Sequence, residues 1–73
     1  MENNERKLIS VAVPVFNEQD NIEVLYREVF HYLEPLPYRI ELIFVDDGSK
    51  DATPLVLDRL TQEDSRVRAL ILA

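Results

Sequence analysis

The sequence predicts an α/β fold, a β-α-β-α-β unit around a parallel sheet. Two observations predict it. Three short runs rich in β-branched residues alternate with two stretches whose apolar residues recur every three or four positions. Proline and polar clusters punctuate every junction between them. Strand–helix alternation of this kind gives parallel strands joined by right-handed crossovers.

The first strand is Leu8-Ile9-Ser10-Val11-Ala12-Val13, ending at Pro14. It reads as buried on both faces, the habit of parallel strands. A helix over 20–34 follows. Ile22, Leu25, Tyr26, Val29 and Leu33 fall on one face of it. Asn17 or Asp20 is expected to cap its start, and Pro35 and Pro37 to end it. The second strand is Ile40-Glu41-Leu42-Ile43-Phe44-Val45, and Asp46-Asp47-Gly48-Ser49 is its exit turn. Gly48 is the only glycine in the chain, placed where a tight turn can need positive φ. A second helix runs from about Thr53 to Glu63, with Asp51 or Thr53 as its cap. Pro54 stands in its first turn, and Val56, Leu57 and Leu60 on its inner face. Val67 to Leu72 is the third strand.

The chain has 73 residues and no cysteine, so neither disulfides nor thiolate metal sites are available to it. One histidine, His31, cannot form a histidine-rich metal cluster, and it is expected to be an exposed helix residue without a role. Hydrophobic content of 47% with 30% charged residues is that of a globular chain. A net charge of −6 argues against a nucleic-acid surface, which needs a basic patch. The apolar runs fall far below the ~20 residues that span a bilayer. The polar start, Met1 to Lys7, does not read as a signal peptide. Residues 1–7 are expected to be a frayed lead-in. Residues 8–73 are expected to be the first portion of a larger domain, because an apolar third strand with no cover makes a small core.

Open parallel sheets bind ligands beyond the C-terminal ends of their strands. Two polar clusters fall at such ends, Pro14-Val15-Phe16-Asn17-Glu18 and Asp46-Asp47-Gly48-Ser49. Carboxylates accept hydrogen bonds from ring N–H groups and ribose hydroxyls, and Asn17 can both donate and accept. Strand alternation sends the side chains of Asp46 and Asp47 to opposite faces. One is therefore expected to face a ligand and the other to fix the turn. Either cluster alone is an ordinary strand-to-helix turn. The pair, separated by one helix of crossover length, is specific. With one glycine, neither G-x-G-x-x-G nor G-x-x-x-x-G-K-[ST] is present. The acid pair also follows the second strand, not the first, unlike a phosphoacceptor domain.

The two segments Val11–Glu18 and Glu41–Thr53 resemble the start of family-two, GT-A-fold glycosyltransferases, above all the polyprenyl- and dolichol-phosphate branch. The resemblance covers nearly all of residues 8–73. It implies a Rossmann-like sheet that is the N-terminal part of a nucleotide-diphospho-sugar transferase fold. It implies that Pro14, Val15, Asn17 and Glu18 line a nucleoside pocket, that Asp46 reads the base and that Asp47 lies near the ribose. Ser49 and Asp51 are then structural. It further implies a UDP- or GDP-sugar donor, a lipid-phosphate acceptor, and Mg2+ or Mn2+ held by residues outside this segment. Catalytic residues are likewise expected outside it, and the enzyme at the cytoplasmic face of a membrane. The alternatives are an inactive fragment that self-associates through its open sheet, and another nucleotide-binding α/β module.

Overall fold

A computed structural model describes residues 6–72. The elements are β1 (Leu8–Val15), α1 (Ile22–Leu33), β2 (Arg39–Asp46), α2 (Thr53–Glu63) and β3 (Val67–Ile71). The three strands form one parallel sheet in the order β1-β2-β3. This is the β-α-β-α-β arrangement expected from the sequence. Of the charged lead-in, residues 1–5 lie outside the described residues. Arg6 and Lys7 lie within them, and the Lys7 carbonyl already accepts from the Arg39 N–H at 2.9 Å.

The register explains why one face of the sheet is a core and the other is not. Val15 pairs with Asp46 and Asp46 with Ile71; Val13, Phe44 and Ala69 form the next layer, and Val11, Leu42 and Val67 the one below. These alternate positions face the helices. Phe44, Leu42, Ile22 and Leu57 are fully buried, with Phe30, Leu60, Val67, Ile40 and Val15 beside them. Full burial of one such side chain contributes roughly 1.5–3 kcal/mol, which makes this layer the main source of stability.

The opposite face carries Pro14, Val45 and Leu70 in one layer and Ala12, Ile43 and Arg68 in the next. Among the described residues no helix covers it. The expectation that the first strand is buried on both faces is therefore corrected: its residues alternate between exposed and half-buried until Val15. As an edge strand, β1 also accommodates Pro14 inside its span, which runs two residues further than the sequence suggested.

The helix starts differ too. α1 begins at Ile22, and neither Asn17 nor Asp20 caps it. Asn21 holds the N-cap position without a side-chain cap bond. The Glu18 carbonyl instead accepts from the N–H groups of Asn21 and Ile22. At α2 Ala52 holds the N-cap position without a side-chain cap bond, and Asp51, one residue earlier, accepts the Thr53 N–H on Oδ1 at 2.8 Å. Thr53 does not cap; its hydroxyl accepts from the Glu18 N–H instead. Both helices end as the sequence implies, α1 at Leu33 just before Pro35 and α2 at Glu63.

Candidate functional site

Parallel pairing of β1 with β2 puts both polar clusters on one rim. Pro14 pairs with Val45 and Val15 with Asp46. The Asp47 N–H donates to the Val15 carbonyl at 3.2 Å, which ties the turn after β2 to the end of β1.

The two adjacent acids part as strand alternation requires. Asp46 points to the helix side and is 0% exposed. Its Oδ1 accepts from the Ser49 N–H at 3.0 Å and from the Ser49 hydroxyl at 2.5 Å. Its Oδ2 is buried and has no hydrogen-bond partner, an uncommon and costly state for a carboxylate oxygen. Asp47 is exposed. Among the described residues its carboxylate has no hydrogen-bond or ion-pair partner. Gly48 takes φ +81°, the conformation that lets the chain leave β2 and bring Ser49 back onto Asp46.

The first cluster divides in the same way. Val15 is 5% exposed, so its side chain belongs to the core and its backbone alone meets the rim. Pro14 and Asn17 are exposed and Glu18 half-buried. The Glu18 carboxylate accepts from Asn21 Nδ2 at 2.9 Å. Asn17 sits at φ 51°, the left-handed region that Asn tolerates better than most residues. Its N–H donates to Ser49 Oγ at 2.8 Å, and its Oδ1 accepts from the Lys50 N–H at 2.8 Å. Asn17 is thus bound to the neighbouring turn by both backbone and side chain.

Three further residues help to shape the rim: Phe16, which lies in the first cluster but takes no role from the sequence, and Gln19 and Thr53, which the sequence does not assign to it. Phe16 is 53% exposed between Val15 and Asn17, where an aromatic ring offers a stacking surface. Its sequence signal is an aromatic standing directly after a buried strand. Gln19 donates its N–H to Asp51 Oδ2 at 3.3 Å and accepts the Ala52 N–H on Oε1 at 2.8 Å. Thr53, 0% exposed, accepts the Glu18 N–H at 2.9 Å. Nothing in the local sequence distinguishes Thr53 from a helix cap.

The rim is acidic. Glu18, Asp20, Asp46, Asp47 and Asp51 stand on it with Lys50. Partial burial pushes the Asp51 carboxyl up, but hydrogen bonds from Thr53 and from the Gln19 backbone outweigh this and hold it below the ordinary carboxylate value. Such a rim suits ligand N–H and hydroxyl donors and repels phosphate. Among the described residues no three His, Asp or Glu side chains come together as a metal site. Asp46 is bonded to Ser49 through Oδ1 alone, but Asp47 stands on the other face, so the two carboxylates do not converge on one Mg2+ or Mn2+. Grooves also lie away from the rim. One of about 670 Å3 runs along the β3 edge past Ile43, Leu57, Thr61 and Arg68, and it touches neither cluster.

Fold and rim together describe a parallel α/β unit whose two polar turns share one rim, without a phosphate loop. The chain belongs to glycosyl transferase family 2, whose family model matches residues 10–72. It is 46% identical over 59 residues to a bactoprenol glucosyl transferase of Shigella phage SfV, covering 81% of this chain and 19% of that protein. A prophage bactoprenol glucosyl transferase homolog of Escherichia coli K12 is 42% identical over the same length and with the same coverage. An undecaprenyl-phosphate 4-deoxy-4-formamido-L-arabinose transferase of Pseudomonas fluorescens SBW25 is 40% identical over 65 residues, or 88% of this chain and 19% of that one. The chain thus spans about a fifth of the length of these relatives. No helix among the described residues is long and apolar enough to cross a membrane.

Proposed function

We propose that this chain is the nucleoside-recognising part of a glycosyltransferase that moves a hexose from a UDP- or GDP-sugar to a polyprenyl phosphate. The observation that carries this reading is the division of the acid pair. Asp46 is buried and holds the turn, whereas Asp47 stands exposed with its carboxylate unengaged, its backbone N–H bound to the carbonyl of Val15, which lies between exposed Pro14 and Phe16 in the chain. A free carboxylate next to an apolar, partly aromatic surface suits a base that offers an N–H at its edge and a flat ring. In place of the expectation that Asp46 reads the base, the reading gives Asp47 the direct polar contact with the nucleoside and leaves Asp46, buried and bonded through Oδ1 to Ser49, to shape the turn. The acceptor comes from the relatives, whose names specify bactoprenol and undecaprenyl phosphate. A lipid-phosphate acceptor places the reaction at a membrane surface, and its cytoplasmic face belongs to the same proposal. The proposal leaves the diphosphate and any Mg2+ or Mn2+ to residues other than these, since an acidic rim repels phosphate and no three His, Asp or Glu come together among the described residues.

Titration calorimetry with UDP and GDP tests the reading. The wild-type chain is expected to bind one of them. Asp47→Asn, which keeps the shape and removes the charge, is expected to lose about tenfold or more in affinity at unchanged melting temperature, the worth of a charge-assisted hydrogen bond. Equal affinity of Asp47→Asn and wild type would sink the assignment.

A further inference from the structure

The turn after β1 and the turn after β2 are stitched together by five hydrogen bonds. Asn17 N–H donates to Ser49 Oγ, Glu18 N–H to Thr53 Oγ1 and Gln19 N–H to Asp51 Oδ2; in return Lys50 N–H donates to Asn17 Oδ1 and Ala52 N–H to Gln19 Oε1. Three successive backbone N–H groups of one turn thus take side-chain acceptors from the other. Ser49 relays the pattern inward, because the hydroxyl that accepts from Asn17 itself donates to buried Asp46. Thr53 is fully buried, so it can reach a rim ligand only through Glu18.

We infer that Asn17, Ser49 and Thr53 are positioning residues that fix the Pro14–Glu18 backbone against the Asp47 turn, so that the two rims act as one preorganised surface. This rests on the proposed nucleoside recognition and deepens it. Asn17 then acts through the loop by its N–H and Oδ1, which are both engaged, while its exposed Nδ2 stays open to a ligand. Without the stitch, the left-handed φ at Asn17 would relax and the rim would have to be ordered at the moment of binding, which weakens affinity.

The decisive variants are Thr53→Val, which keeps the shape and deletes the acceptor, and Thr53→Ser, which restores it. Both are compared with wild type at a temperature where all are folded. UDP and GDP affinity is read by calorimetry and the Glu18 amide by hydrogen exchange. Thr53→Val is expected to lose about tenfold in affinity and to exchange its Glu18 amide about tenfold faster, the effect of one lost hydrogen bond. Thr53→Ser is expected to recover both. Wild-type affinity in Thr53→Val, or no recovery in Thr53→Ser, overturns the inference and leaves the nucleoside reading standing. A wild-type chain that binds neither UDP nor GDP overturns that reading, and this inference with it. Should Thr53→Val not fold, Asn17→Gly serves, since glycine keeps the left-handed backbone and removes the side chain that carries Oδ1, with Asn17→Asp, which retains that acceptor, as its control. Asn17→Gly is expected to show the same affinity loss with faster exchange at the Lys50 amide, and wild-type values at both overturn the inference.

Discussion

The two ends of the sheet solve the same problem in opposite ways. At the N-terminal end, below β3, charges are matched to one another. Arg66 stacks over the Phe30 ring at 3.9 Å and donates to Asp64 and Glu34, while the Tyr26 hydroxyl donates to Asp64 at 2.7 Å. Hydrogen bonds from Arg66 hold the Asp64 carboxyl well below the usual range, and Asp64 in turn raises the Arg66 guanidinium further. At the C-terminal rim the polar groups are bound backbone to side chain, and among the described residues three carboxylate features are left over: the buried Asp46 Oδ2 and the exposed Asp20 and Asp47. A fully matched cluster can do little but stabilise. An end that keeps carboxylates free, on a frame hydrogen-bonded around them, is the end to which the proposal assigns binding.

This contrast between the ends is open to test at several positions. The largest effect on stability is expected at the buried acid. Asp46→Ala leaves the Ser49 N–H and hydroxyl without their acceptor and should cost about 2–3 kcal/mol in urea unfolding. A loss below about 0.5 kcal/mol, on the order of a surface change, would mean that the turn is held without Asp46. Next comes the matched end. Asp64→Asn should cost about 1–2 kcal/mol, discounted for the partial exposure of Arg66, and leave nucleotide affinity untouched. Altered affinity there would erase the functional distinction between the ends.

The same acid sets a pH dependence. The folded-state value of Asp64 is depressed, so its contribution is fully present above the ordinary aspartate range near 4 and is lost as pH falls below that toward the folded value. Wild type should therefore lose more stability than Asp64→Asn between about pH 4 and pH 2 in acid-dependent melting. Parallel curves would show that the ion cluster contributes nothing at that end. The smallest effect is at Gly48→Ala. An added Cβ meets nothing within 4 Å, so the cost is that of φ +81° alone, about 1 kcal/mol by thermal melting.

Much of this molecule is legible in its residues alone. Short β-branched runs mark three strands and a period of 3.6 marks two helices, because both are local properties of the chain. Pro35 and Gly48 mark a helix end and a turn for reasons confined to their own backbones. The opposite facing of Asp46 and Asp47 also follows from alternation alone. What the sequence could not decide was which of the two lies inside. That depends on where α1 and α2 pack, because only a helix-covered face buries the residues pointing into it. For the same reason β1, apolar enough to suggest burial on both faces, is covered on one. The stitch was invisible as well. Asn17 and Asp51 look like helix caps locally, and Thr53 is as good a cap as either. Only the side-by-side placement of β1 and β2 brings residues more than thirty positions apart within hydrogen-bonding distance, and so turns two ordinary turns into one rim.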